Sequence, residues 1–269
     1  MTAIGAAWLD GELVDPGATL VALDDHGLTV GDGVFETLLV RGGRAPAWER
    51  HAARLETALA ATGIGPLEHD LADAVATVVA ASGLDDARVR ITITSGPGPG
   101  GLRRGPRPTV LVLATPLGPP PPPAAVVTAP WARNERGPLV GVKTTSYGEA
   151  AALLARAAAV GADDVLLGDT RGRLSEAITA NVVVELDGSA LTPSLACGCL
   201  PGTVRAVLLE AGTVEEAEIP LGRVREASEV VLTSAVAGVR PVAHVDGTAL
   251  PRVDGPLAAH VRATLDEGD

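Results

Sequence analysis

Five consecutive prolines, Pro119–Pro123, stand near the middle of this 269-residue chain. Proline has no backbone N–H and a fixed φ, so such a run is neither helix interior nor paired strand; it is a stiff, extended connector. Residues 116–123 are therefore expected to link two domains, a smaller one over 1–115 and a larger one over 124–269. A proline-rich ligand for a partner protein is the competing reading. The length suits two modest domains, and 46% hydrophobic residues are enough to fill their cores.

Both halves alternate strand and helix signals. In the first, Ala6–Val14 reads as a hairpin turning at Asp10-Gly11, and Val34–Arg41 as a strand turning at Gly42-Gly43. Trp48–Ala61 and Leu71–Ala81 have helical spacing, whereas Ala87–Thr94 and Thr109–Ala114 read as strands. Between those strands, Ser95–Pro108 is too rich in glycine and proline for regular structure. In the second half, strands are expected at Ala124–Thr128, Asp164–Leu167, Asn181–Leu186, Val230–Thr233 and Arg240–His244, and helices at Ala150–Val160 and Thr203–Ala211. The expected fold class is α/β (α+β), two domains with a cleft between them.

The formal charge of −12 and pI of about 4.8 argue against nucleic acid, because the arginines are scattered apart from Arg103, Arg104 and Arg107. No apolar stretch approaches the roughly 20 residues of a membrane helix, and no secretion signal is visible, so a soluble, cytoplasmic protein is expected. Cys197 and Cys199 cannot fill a tetrahedral site and the five histidines lack ligand spacing, so no metal is expected.

Of the 21 basic residues, one is lysine, Lys143, and twenty are arginine. A composition rich in Ala, Gly, Pro, Val and Arg accounts for most of that bias. Yet where an amine must lose its proton to attack a carbonyl, arginine cannot replace it. Lys143 lies between a short apolar run and an alanine-rich helix, placed to project into a cleft. Its ordinary pKa of ~10.4 would have to be lowered by burial or neighbouring cations for imine formation; a plain surface lysine is the alternative. Glu176, ahead of the apolar run Val182–Val184, needs a cationic or protonated partner, either a pyridinium nitrogen or one of the many arginines. Gly202-Thr203 at a helix start makes an anion site or merely a cap. Arg54 offers a fork for a phosphate, or is a solvated helix charge.

Taken in order, Gly31-Asp32-Gly33-Val34-Phe35-Glu36-Thr37, His51 to Leu55, Lys143 to Tyr147, Glu176 to Asn181, Leu191 to Ser194, Leu200 to Arg205 and Thr233-Ser234-Ala235 resemble the class-IV aminotransferases, the fold-type IV pyridoxal-phosphate enzymes. The sole Lys, Tyr and Phe all fall inside these motifs. The resemblance implies pyridoxal 5'-phosphate held as a Schiff base on Lys143, with Glu176 on the pyridine nitrogen. It implies a phosphate cup of Arg54, Gly202, Thr203 and the Ser234-Ala235 turn. Relatives often carry a hydroxyl residue in place of Ala235. Tyr147 would stand near the ring hydroxyl and Asn181 would support the ring. A homodimer is implied, with the active site at the interface of the two domains.

Members of this family include branched-chain and D-amino acid aminotransferases and aminodeoxychorismate lyase. Ala237-Gly238-Val239-Arg240-Pro241-Val242 and the loop Ser95–Gly101 are similar to the lyases, favouring release of pyruvate from 4-amino-4-deoxychorismate to give 4-aminobenzoate. Transamination is the alternative, and a catalytically idle cofactor-binding relative stays open. Several lyases have an arginine where Ser95 stands, so recognition of the substrate carboxylate is expected from Arg103, Arg104, Arg107 or Arg240, with Phe35 also lining the substrate.

Overall fold

Asp10 and Gly11 adopt positive φ (45° and 109°) and turn β1 (Ala6–Leu9) into β2 (Glu12–Val14), a conformation that Asp-Gly takes with little strain. This hairpin opens the computed structural model, which describes residues 4–18 and 21–268. A helical turn α1 (His26–Thr29) follows, then β3 (Gly33–Val40), helices α2 (Trp48–Thr62) and α3 (Leu71–Ser82), β4 (Ala87–Thr94) and β5 (Thr109–Pro116). The five strands pair antiparallel in the order β2-β1-β5-β4-β3.

Strand alternation sorts this sheet into two faces. Val34, Leu38 and Val40 of β3 and Ala87, Val89, Ile91 and Ile93 of β4 form one core with Leu55 and Ala58 of α2 and Val75 and Val78 of α3. The intervening positions, among them Phe35, Thr37, Arg90 and Thr92, belong to the opposite face, and Phe35 pairs with Thr92 as Thr37 does with Arg90.

The outer edge of β3 is covered by a distant piece of chain. Val142–Tyr147 belongs to this first unit, which otherwise runs up to Pro119. The Phe35 amide donates to the Lys143 carbonyl at 2.9 Å, and the Thr145 amide donates to the Gly33 carbonyl at 2.8 Å. Thr145 and Ser146 hydroxyls both donate to the Gly31 carbonyl at 2.8 Å. Two motif glycines make this docking possible. A Cβ on Gly33 would lie 2.7 Å from the Ile93 carbonyl oxygen and 2.9 Å from Thr145 Oγ1, and one on Gly31, where φ is +69°, would lie 2.8 Å from Ser146 Oγ. The expected second domain, an unbroken run from 124, thus differs from the observed units: hydrogen bonding along β3 draws out six residues that sequence position alone assigns to the other half.

No regular structure occupies residues 117–123, between β5 and β6 (Ala124–Arg133). The second unit comprises Pro120–Gly141 and the chain from Gly148 onward. After β6 it contains α4 (Gly148–Ala159), β7 (Asp164–Asp169), β8 (Leu174–Ala177), β9 (Asn181–Leu186), β10 (Ser189–Pro193), α5 (Thr203–Glu210), β11 (Glu215–Ala217), β12 (Glu229–Ser234), β13 (Gly238–Val245), β14 (Thr248–Ala249) and α6 (Pro256–Gly268). Its mixed sheet runs β11-β10-β9-β12-β13-β6-β7-β8, with β14 beside β13.

Val182 and Val184 of β9 share one core with Leu166, Leu174, Val230 and Val242, whereas Val183 packs with Leu208 of α5 and Val261 of α6. Residues from β8, at one end of the sheet, and from β9, near the other, meet in the first of these clusters, so the sheet curls. Glu229, fully buried, accepts from the amides of Gly255, Ala258 and Leu257 at 2.8, 3.0 and 3.1 Å and thereby satisfies the start of α6. Among the described residues no helix is long and apolar enough to cross a membrane.

Candidate active site

The chain's single lysine, tyrosine and phenylalanine come together in the first unit. Lys143 Nζ lies 4.3 Å from the Phe35 ring centroid and 5.8 Å from that of Tyr147, and the two rings meet edge-on at 5.2 Å. The Lys143 side chain is aimed by the pairing of its own backbone with β3.

Arg90, which the sequence did not single out, stacks on the same Phe35 ring, its Cζ 3.8 Å from the centroid. Its Nε donates to Thr92 Oγ1 at 3.1 Å, and among the described residues it has no carboxylate partner. Burial pushes its pKa below the ordinary arginine value, with Tyr147 partly offsetting the effect and Arg88 adding to it. A half-buried guanidinium without a counter-charge is costly to keep and is a ready receptor for an anion.

Behind the Phe35 strand, Glu36 is buried to 1% exposure and accepts from Arg54 Nε and Nη2, each at 2.7 Å. His51 Nδ1 lies 2.7 Å from the same carboxylate. Arg54 and His51 stand one turn apart on α2, so one carboxylate fixes both. The guanidinium expected to meet a phosphate is thus oriented by Glu36. Burial opposes ionisation of Glu36, but the hydrogen bonds from Arg54 and His51 outweigh it and hold the carboxyl below the ordinary glutamate range. A group whose folded pKa is depressed stabilises the fold above its unfolded pKa and loses that contribution as pH falls. Glu36→Gln is therefore expected to lower the melting temperature near neutrality and to flatten its fall at acid pH, measured by thermal melts between pH 3 and 7.

The second unit gathers the other group of expected residues. Glu176 lies inside the short strand β8, not merely ahead of β9 as its sequence position implied. It forms an ion pair with Arg133 and accepts from the Leu200 amide at 2.9 Å and, more weakly, from Asn181 Nδ2 at 3.4 Å. Asn181 Nδ2 also donates to the Leu200 carbonyl at 2.9 Å, tying β9 to the turn before α5. At Gly202 a Cβ would collide with Asn181 Oδ1, so any other residue here would have to displace the Asn181 amide.

Gly202 is the N-cap of α5 and supplies no capping side chain, and Thr203 opens the helix, buried. Beside Asn181 on the neighbouring strand, Thr233 carries a buried hydroxyl without a partner among the described residues. Ser234 Oγ accepts from the Ala237 amide at 3.3 Å in the turn that contains Ala235.

The other arginines expected at a substrate carboxylate are differently engaged. Arg104 turns its fork to Asp32 at 2.7 Å and donates to the Thr62 carbonyl; Arg240 pairs with Asp163 and donates to the Pro122 carbonyl. Arg107 is exposed and 3.8 Å from Glu68, and Arg103 is exposed. Cys197 and Cys199 are free and buried; burial, then Glu176, pushes the Cys199 thiol up to about 12, so it stays neutral.

A phosphorylated pyridine aldehyde asks for an amine, a carboxylate for the ring nitrogen and an anion site. The first unit contains an amine of that kind in Lys143, and the second, taken by itself, a suitable carboxylate in Glu176. The start of α5 without a capping side chain, the close-packed glycine turn before it and the Thr233 hydroxyl, unpartnered among the described residues, fit the anion site.

The family described as Amino-transferase class IV matches residues 33–245. The bifunctional aminodeoxychorismate lyase / D-amino acid transaminase of Mycobacterium tuberculosis is 30% identical, covering 93% of each chain. A hypothetical aminotransferase from M. tuberculosis, solved in its PLP-bound form, superposes with a TM-score of 0.83 at 28% identity over 98% of this chain and all of its own. The fold IV transaminase CpuTA1 of Curtobacterium pusillum gives 0.83 at 29% identity over 94% of this chain and 92% of its own. With the family match spanning most of its length, the chain belongs to the class IV amino-transferases.

Proposed function

We propose that this chain is a 4-amino-4-deoxychorismate lyase that releases pyruvate and 4-aminobenzoate, with transamination of amino acids as the second reading. Class IV amino-transferases depend on pyridoxal phosphate, and this enzyme is one of them. The observation that carries the proposal is that the Lys143 amine and the Arg90 guanidinium, which has no carboxylate partner among the described residues, both lie against the ring of Phe35.

The bound cofactor supplies an electron-withdrawing ring that stabilises negative charge beside the substrate amine. The chain's residues do the rest. Lys143 holds the cofactor and then acts as general base on the substrate carbon that bears the amine. Arg90 takes a substrate carboxylate, and Phe35 and Tyr147 wall the reacting carbon. Glu176, supported by Asn181, would pair with the ring nitrogen, and Arg54, Gly202, Thr203 and the Ser234-Ala235 turn are the residues that would bind the phosphate. The same proton abstraction serves both reactions. In the lyase the released electrons expel pyruvate as the ring becomes aromatic, whereas in transamination Lys143 returns the proton.

One local feature supports the lyase. Gly238 has φ +60° with nothing within 4 Å of a Cβ position, so no side chain stands where many aminotransferases carry an acid that would repel a dicarboxylate. The M. tuberculosis relative carries out both reactions, which keeps amino transfer as the alternative. A homodimer belongs to the same reading. Purified enzyme given aminodeoxychorismate is expected to yield pyruvate and 4-aminobenzoate in equal amounts. Rapid amino transfer from D-alanine or L-leucine to 2-oxoglutarate, without pyruvate from aminodeoxychorismate, would replace the lyase by the transaminase.

A further inference from the structure

We infer that Arg133 is a positioning residue for Glu176, fixing the plane of the carboxylate and sharing its charge. A bound pyridine ring would therefore meet a tempered negative charge. The inference rests on the cofactor reading above, in which Glu176 faces the ring nitrogen, and concerns a residue that no sequence motif picked out.

Arg133 is the last residue of β6, just beyond the irregularity between Thr128 and Ala132, and its backbone pairs with Asp169 of β7. From there Nη1 reaches two acceptors at once, Glu176 Oε1 and the Gly198 carbonyl at 3.0 Å. The arm passes close to Gly198, where φ is +80° and a Cβ would lie 3.0 Å from Glu135 Cα and 3.7 Å from Arg133 Cδ. The other carboxylate oxygen, Oε2, receives the Leu200 amide and Asn181. Donors on both oxygens define the carboxylate plane, and of these donors the guanidinium alone is charged.

The neighbouring ionisable groups are each matched elsewhere. Glu135 is held by Thr170, whose amide and hydroxyl donate to it, and lies near Arg136. Asp169 pairs with Arg173, Arg205 with Glu216, and the Cys199 thiol is neutral. A group bound at Glu176 would therefore feel, beside the carboxylate, a guanidinium that keeps its charge.

Removing a positive charge lets nearby sites keep their protons to higher pH. In Arg133→Gln holoenzyme, the pH at which the visible absorption band is half converted is expected to rise by about 0.5–1 unit. Arg133→Lys keeps the charge and is expected to return the midpoint most of the way to wild type. A glutamine midpoint equal to wild type, or a lysine variant displaced as far as the glutamine one, would overturn the inference.

Should Arg133→Gln not retain cofactor, titration of the apo-proteins with pyridoxal phosphate decides. Binding weakened about tenfold or more with glutamine but not with lysine supports the role, and equal weakening in both removes it. Wild-type protein that shows no visible band and no binding of pyridoxal phosphate would instead strike at the cofactor reading, a separate failure.

Discussion

Lys143→Ala is expected to be colourless when purified with pyridoxal phosphate and to lose turnover by about a thousandfold or more, the scale of a missing covalent and general-base group. Lys143→Arg should fail as completely, because a guanidinium keeps the charge but cannot yield the neutral amine that condenses with a carbonyl. The β3 pairing runs through the backbone of residues 143 and 145, so both variants should keep it and melt near the wild-type apo-protein. Absorption spectra, steady-state rates and thermal melts measure all three points. A yellow, active alanine variant would dismiss the assignment of the amine.

Arg90→Gln is expected to separate carboxylate recognition from cofactor binding. Truncating one partner of a desolvated charge pair costs about 2–5 kcal/mol, which places kcat/KM for carboxylate-bearing substrates about thirtyfold to a few thousandfold below wild type. The visible band should persist, since Arg90 stacks on Phe35 and donates to Thr92 on the sheet face opposite the α2–α3 core. An amine that lacks a carboxylate should be processed equally by the two proteins. Unchanged kcat/KM for an amino acid would return the choice to the arginines of the loop after β4.

Much of this arrangement was legible in the residues, and what was hidden had physical reasons. Ala87–Thr94 alternates so regularly that its strand is read from end to end, but the same regularity disguises Arg90: an arginine at an outward position looks like any solvated charge. Its meaning comes from Phe35, across the sheet and 55 residues earlier, which no local pattern can reveal. Arg133 is concealed similarly, inside a polar run that reads as loop, and acquires its role from Glu176 and Gly198. Strand β8 has four residues, too few to display a period, so Glu176 was recognised without the strand that carries it. Arg54 was expected at a phosphate, yet its orientation depends on Glu36, a buried charge whose value appears only when helix and strand are packed. The motif glycines, by contrast, were visible as residues and became explicable only once the Lys143 segment was seen to lie against Gly31 and Gly33.

The polypeptide leaves its first unit at Pro119, returns for Val142–Tyr147 and leaves again at Gly148. Those six residues include Lys143, so severing the gene at the proline tract would take the sole lysine from the amino-terminal fragment and leave it in the carboxy-terminal one, detached from the strand its backbone pairs with. Such a thread couples inheritance of the two halves: neither can be exchanged for a foreign counterpart by a single recombination event without also replacing the stitch that joins them.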